Sequence, residues 1–317
     1  LDNGCIEKST NDIDLLTNSL NEDENSLRAT AEICGISIKD LTTFVELFAN
    51  TNEAISLYSQ GINQSSSGVD KSNAIINVHL ASGKIGKQGA GCFSITGQPN
   101  AMGGREVGGL ANQLASHMDF DSDDVNRISR FWKCENTAQN MGLKAIDMFD
   151  GVLDGTIKAI WIMHTNPAVS MPNASKVREA LAKCPLVISS DVIENTDTNQ
   201  YANVLLPALA WGEKDGTVTN SDRTISRQRA FLDNSKTINA RADWEIIRDV
   251  AQKMGFKEFE YKNVYDIFIE HCLLSAFEND KKHKIRDFNL SHLSTISLNE
   301  YNELKPIQWP VTSQNPN

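Results

Sequence analysis

Between residues 157 and 207 strand-length apolar runs alternate with a helical stretch, and that alternation narrows the possible folds more than any other feature. Ile157-Lys158-Ala159-Ile160-Trp161-Ile162-Met163 is a mostly apolar run, as in a parallel strand covered on both faces. The loop His164-Thr165-Asn166-Pro167 follows, and then a helix from about Ser175 to Lys183. Pro185 to Asp191 is a second strand, ending in an acid, and Asn203-Val204-Leu205-Leu206-Pro207 is a third. Strand, helix, strand, connection, strand is the signature of parallel pairing, because parallel neighbours need a long crossover. The fold class is therefore α/β, with parallel sheet layers and flanking helices.

In such a sheet, ligands bind outside the carboxyl ends of the strands. That rule nominates His164, Thr165 and Asn166 after the first strand, Ser190 and Asp191 after the second, and the loop beyond Pro207. An acid at the end of the second strand can accept hydrogen bonds from a ribose or a base. Asp191 reads equally well as a local loop acid or cap.

A second informative stretch is TGQPNAMGGREVGGLAN, Thr96 to Asn112. Gly103, Gly104, Gly108 and Gly109 bracket Arg105 and Glu106. Glycine permits close backbone approach or positive φ. An arginine among glycines offers a fork of donors suited to a planar anion. On composition alone, both charged side chains would sit in solvent on a surface loop.

Other segments are read more coarsely. Residues 1–26 are polar, acidic and weakly patterned. Ser37 and Asp40 open a helix with Leu41, Phe44, Val45 and Phe48 on one face. Glu53 to Tyr58 is a short strand, and Asp70 can cap a helix that stops at Gly83. Gly83-Lys84-Ile85-Gly86-Lys87-Gln88-Gly89 fails the phosphate-loop pattern, since Gln88 stands where a hydroxyl belongs. It is a glycine-rich connection. Lys214, in the loop 212–220, suits either a phosphate or a surface pair with Glu213 or Asp215. Ala242 to Met254 is an amphipathic helix, with Trp244, Ile247, Val250, Ala251 and Met254 inward, and Val264 to Phe277 is another. Beyond Lys281 the chain is polar and weakly structured.

A net charge of −11 argues against sequence-independent nucleic-acid binding. No apolar run approaches the length that spans a bilayer, so neither nucleic acid nor membrane is an expected partner. The cysteines at 5, 34, 92, 134, 184 and 272 form no C-x-x-C pair, which disfavours a self-contained zinc or iron–sulfur site and suits reduced, cytoplasmic thiols. The start, Leu1-Asp2-Asn3-Gly4, shows no signal peptide and no Met, as in a processed form or a fragment.

Five blocks then occur in order: Gln60-Gly61-Ile62-Asn63-Gln64; Thr96 to Gly109; Trp161-Ile162-Met163-His164-Thr165-Asn166-Pro167; Trp211 to Asn220; and Asp243-Trp244. Together they resemble the middle of the molybdopterin oxidoreductases, the dimethyl sulfoxide reductase family, and within it the assimilatory nitrate reductase branch. The resemblance runs from about Ala54 to Val311.

The resemblance implies Rossmann-like sheet layers forming the central domains of such an enzyme. It implies molybdenum bis(molybdopterin guanine dinucleotide) and a [4Fe-4S] cluster in the full-length enzyme, with the cluster cysteines and the molybdenum ligand outside this chain, so that neither group is expected on this fragment alone. The implied segments are 1–102, the end of one α/β domain; 103–243, a second, dinucleotide-binding one; and 244–317, a helical segment and tail packing on an amino-terminal domain. Gln60, Gly61 and Gln64 match positions that contact a pterin. Asn166, Ser190, Asp191, Lys214 and Asp243 match positions that hold a dinucleotide. Arg105 matches an arginine near the metal and the substrate. The implied activity is reduction of nitrate to nitrite by oxo transfer, in a cytoplasmic enzyme fed by an electron-donor protein or reductase subunit, with the fragment inactive in isolation. A formate dehydrogenase of the same family and a non-catalytic scaffold of the same fold are the alternatives. A domain cut from its neighbours would also expose faces prone to self-association.

Overall fold

The computed structural model describes residues 2–11, 13–232 and 239–316. The chain divides into two units, Leu1–Gln98 and Pro99–Asn317.

The first unit opens with the helices α1 (Asn3–Ser9), α2 (Ile13–Leu20), α3 (Leu27–Cys34) and α4 (Ile38–Asn50). Ser37 caps α4 by accepting from the Asp40 amide at 3.0 Å, as the sequence predicts. Its apolar face is only half covered, since Phe44 and Val45 are exposed. Strand β1 (Ile55–Tyr58) is followed by the single turn α5 (Gln60–Asn63), the helix α6 (Gly68–Ala81) and β2 (Gly91–Ser94). β1 and β2 pair in parallel, Ile55 opposite Gly91 and Tyr58 opposite Ser94. α6 begins at Gly68, after the Ser67 cap position, so Asp70 lies in the first turn and is not the cap. There its negative charge still favours the helix amino terminus. Lys84, in the glycine-rich connection, is buried, with Nζ 3.4 Å from the Ala49 carbonyl and 5.2 Å over the Phe48 ring. It is a packing lysine, unlike the lysine of a phosphate loop.

The second unit contains α7 (Ala101–Glu106), α8 (Ser122–Trp132), α9 (Ala145–Leu153), β3 (Ala159–Met163), α10 (Pro167–Ser170), α11 (Ala174–Lys183), β4 (Leu186–Asp191) and β5 (Val204–Pro207). β3, β4 and β5 form a parallel sheet in that order, as the alternating pattern requires. Ile162 and Val187 from the sheet pack with Phe149 and Val152 of α9 and Val177, Ala180 and Leu181 of α11. The expectation of cover on both faces is not met. Val204 and Leu205, on opposite faces of the edge strand β5, are exposed, although Ser190 is buried on the face opposite Val187.

The chain continues through β6 (Gly216–Thr219), β7 (Thr224–Gln228), α12 (Asp243–Lys253), α13 (Val264–Ala276), α14 (Leu298–Asn302) and β8 (Ile307–Gln308). β6, β7 and β8 form an antiparallel sheet. On α12 the buried residues are Ile246 and Ala251, whereas Ile247 and Met254 are exposed, so the predicted inward face is rotated. A larger correction concerns the end of the chain. Phe288, Leu290, Leu293, Tyr301, Trp309 and Val311 join Ile225, Phe268 and Cys272 in one core cluster. These apolar residues lack periodicity because irregular backbone, not one helix face, carries them inward.

Candidate functional site

The carboxyl ends of β3 and β4 bring most of the nominated residues to one edge. His164 follows β3 with φ +52°, a left-handed conformation uncommon outside glycine, and its amide donates to the Ser190 carbonyl at 2.9 Å. The chain returns to this edge a fourth time: the Arg241 amide donates to the Pro207 carbonyl at 3.1 Å, and the Leu209 amide to the Arg241 carbonyl at 3.0 Å. That ladder delivers Asp243 to the first turn of α12, where the helix dipole favours an acid.

Asp243 is the centre of the arrangement. One carboxylate oxygen contacts Nε2 of His164, and the other accepts from Nζ of Lys214 at 2.7 Å. The three side chains are 26%, 31% and 22% exposed, respectively, so solvent and a ligand can reach them. Burial by itself pushes the Asp243 carboxyl up. Hydrogen bonds and charge from Lys214 and His164 overcome it and hold the group below the usual carboxylate range. Lys214 therefore pairs with neither predicted neighbour. Glu213 accepts from the Ala210 amide at 2.6 Å, and Asp215 pairs with Arg227 at 3.2 Å.

The other nominated residues take local roles. The Asn166 side-chain carbonyl accepts from the Thr198 amide at 3.1 Å and the Thr198 hydroxyl at 2.6 Å, tying the β3 loop to the β4 loop. Ser190 is fully buried and accepts from Nε1 of Trp161 at 2.8 Å. Asp191 is partly exposed, and its Oδ1 accepts from the Ile193 amide at 3.1 Å. In the first unit, Gln60 and Gly61 lie on α5, and Gln64 caps its end; Gly61 and Gln64 are exposed.

Arg105 and Glu106 do not lie on an open loop; they form the last turn of α7. Arg105 is partly exposed, with Nη1 3.4 Å from the Ala101 carbonyl. Glu106 is 2% exposed and accepts from the Thr219 hydroxyl at 2.8 Å and from Nε1 of Trp309 at 2.7 Å. Gly108 has φ +74°, and a Cβ there would lie 2.5 Å from the Ala115 amide nitrogen. At Gly103 a Cβ would strike the Asn100 side chain, which accepts from the Thr219 amide at 2.9 Å. The glycines thus let a short helix press onto β6, and Glu106 bolts it there.

Among the described residues, Asp119, Asp121 and Asp124 form the one group of His, Cys, Asp or Glu side chains close enough to hold an ion. Nζ of Lys284 lies 3.3, 3.6 and 3.5 Å from them, and Arg127 pairs with Asp124, so two side-chain cations already occupy the cluster. All six cysteines are free thiols; Cys272 is fully buried, and burial pushes its thiol up.

A family model described as molybdopterin oxidoreductase matches residues 11–253. The chain belongs to the molybdopterin oxidoreductase family. A nitrate reductase of Klebsiella oxytoca is 51% identical over 287 residues, covering 90% of this chain and 33% of that protein. An F420-dependent formate dehydrogenase subunit alpha of Methanocaldococcus jannaschii is 33% identical over 245 residues, covering 76% of this chain and 35% of that protein. The solved acetylene hydratase of Pelobacter acetylenicus superposes with a TM-score of 0.66 over 97% of this chain and 42% of that one, at 13% identity, a likeness of fold alone. This molybdopterin oxidoreductase chain therefore spans about a third of the length of the curated relatives it matches. No helix among its described residues is long and apolar enough to cross a membrane.

The family resemblance nominated Asp243, Lys214 and Arg105, but nothing in the sequence paired Asp243 with Lys214 and His164. His164 follows from the sheet-edge rule. Trp309 and Thr219 carry no local signal, since they meet Glu106 across 203 and 113 positions of chain.

Proposed function

We propose that this chain is the segment of a molybdenum nitrate reductase that holds the nucleotide end of the pterin cofactor and presents Arg105 to nitrate. The observation that carries the reading is the convergence of His164, Lys214 and Asp243 at the carboxyl edge of the parallel sheet, where the fold binds dinucleotides. The donor set suits such a group. A carboxylate held below its usual range accepts from a base or ribose, and Lys214 and His164 can turn toward an anionic diphosphate. Asp191, with Oδ2 free of any hydrogen bond among the described residues, adds a second acceptor on the same edge. Asn166 orients the loop between them and Ser190 fixes Trp161 beneath them. Gln60, Gly61 and Gln64 are assigned to the pterin on the match of their block alone.

When bound, the molybdenum–pterin group supplies the electron pair that oxygen removal from nitrate requires. Arg105 supplies a planar fork of donors that binds and orients the planar anion. Its fixed charge also stabilises the negative charge that develops on the departing oxygen. Glu106, buried between Thr219 and Trp309, keeps the arginine from shifting as substrate enters. The cytoplasmic location and the electron-donor protein belong to the same reading.

Kinetics of the full-length enzyme with reduced viologen and nitrate test it. Arg105→Ala is expected to lower kcat/KM by about 100-fold, with Arg105→Lys recovering part of the loss because it restores charge without the fork. Unchanged kinetics in both variants overturn the substrate role. The 33% identical formate dehydrogenase favours a second reading, and the same assay run with formate as donor and oxidised viologen as acceptor separates the two.

A further inference from the structure

Beside Arg105 lies a cluster of titratable groups for which the dinucleotide reading has no use. Glu106, at the end of α7, is buried, and Nε2 of His271, on α13, lies 3.8 Å from its Oε2. His117 completes the group. Its ring packs against Phe288 at 5.2 Å and Trp309 at 5.6 Å, and its buried Nε2 has no hydrogen-bond partner among the described residues. His271 packs on Phe288 as well, at 5.2 Å, so one aromatic ring joins the two imidazoles. The backbone is bent to achieve this: Ser116 and His117 are consecutive left-handed residues, at φ +57° and +56°, and neither is glycine. Strain of that kind persists only where the surroundings over-determine it, and it gathers at working sites.

We propose that Glu106, His117 and His271 form a partly buried proton-holding cluster serving oxyanion reduction beside Arg105, an inference that rests on the nitrate reading above. Reduction of nitrate to nitrite breaks one N–O bond. Two electrons come from the reduced molybdenum–pterin group, and the oxygen leaves as water with two protons. The cluster gives up one of the two protons toward that oxygen, solvent supplies the other, and the cluster reloads with one proton from solvent. The groups around His117 suit the task. Burial lowers its proton affinity, Glu106 raises it, His271 and Arg105 lower it, and Asp287 raises it, with a net shift below the ordinary 6.5. A proton placed there is released readily, and the carboxylate beside it keeps the site able to reload.

The first measurement is nitrogen-15 histidine NMR on the 317-residue chain. His117 is expected to titrate below 6.5, lower still in Glu106→Gln, and higher in His271→Gln. Indifference of His117 to both substitutions overturns the cluster. Should Glu106→Gln not fold, His271→Gln decides alone. The second is the pH–rate profile of the full-length enzyme. His271→Gln is expected to lower kcat by about 100-fold, leave the nitrate KM within about twofold, and shift one limb of the profile. A parallel loss at every pH, with KM rising, marks a structural role and overturns the proposal. A wild-type enzyme that does not reduce nitrate overturns the nitrate reading and the proton role together. NMR coupling that is absent in a chain whose full-length enzyme reduces nitrate overturns the cluster alone.

Discussion

Both oxygens of Asp243 are engaged, one by His164 and one by Lys214, and its ionisation is tied to those contacts. Its pKa is depressed below the unfolded value of 3.8. The contacts therefore contribute stability that is fully present above that value and is lost as pH falls through the folded pKa. Asp243→Asn, which keeps the shape and removes the charge, is expected to cost about 1–2 kcal/mol at pH 7. Well below 3.8, once the pH has fallen through the folded pKa, the difference between variant and parent should shrink toward zero, because the parent carboxyl is then protonated too. Urea unfolding at the two pH values checks this, and a pH-independent difference would show that the charge is irrelevant. If Asp243 also holds a nucleotide, the same substitution weakens cofactor retention in the full-length enzyme. Arg105 and Glu106 illustrate a different point. Adjacent in sequence, one is partly exposed and the other 2% exposed, because successive positions on a helix point about 100° apart.

At the scale of elements, the parallel sheet and the chain end behave oppositely. β3, α11, β4 and β5 were legible because each is a contiguous run with one period, and the parallel pairing follows from the crossover. β2 was not, since four residues opening on glycine give no alternation to read. The segment 288–311 read as soft because its apolar residues are scattered, yet Phe288, Leu290 and Val311 are fully buried. Phe288→Ala is expected to destabilise by about 3–5 kcal/mol and Leu290→Ala by about 2–5 kcal/mol, as for other core truncations. The exposed Leu298→Ala serves as control and should fall within about 0.5 kcal/mol of the parent. Equal effects of all three in denaturant unfolding would mean that the chain end is not part of the core. α12 shows the limit of amphipathic reading. The stripe was predicted one position off, Ile247 for Ile246, because Trp244 beside Arg248 at 5.0 Å and the Asp243 contacts fix the rotation of the helix.

For the whole molecule, the proposal places the catalytic metal's ligands outside these residues. The 317-residue chain alone is expected to retain no stoichiometric molybdenum and to show no viologen-driven nitrate reduction. Metal analysis and that assay on the purified chain check it, and metal with turnover would overturn the division of labour. The sequence by itself determined the α/β class, the edge at which a ligand belongs, and the short list containing Asp243, Lys214 and Arg105. The class and the edge depend on local periodicity and on a topological rule that needs no coordinates, and the short list on ordered blocks that resemble the family. Only the tertiary structure decided that Asp243 is clasped by His164 and Lys214, that Glu106 is a buried anchor against Trp309, and that His117 and His271 converge on it. The hydrogen bonds among them join residues 29 to 203 positions apart, and no local pattern encodes a meeting that depends on how distant elements pack.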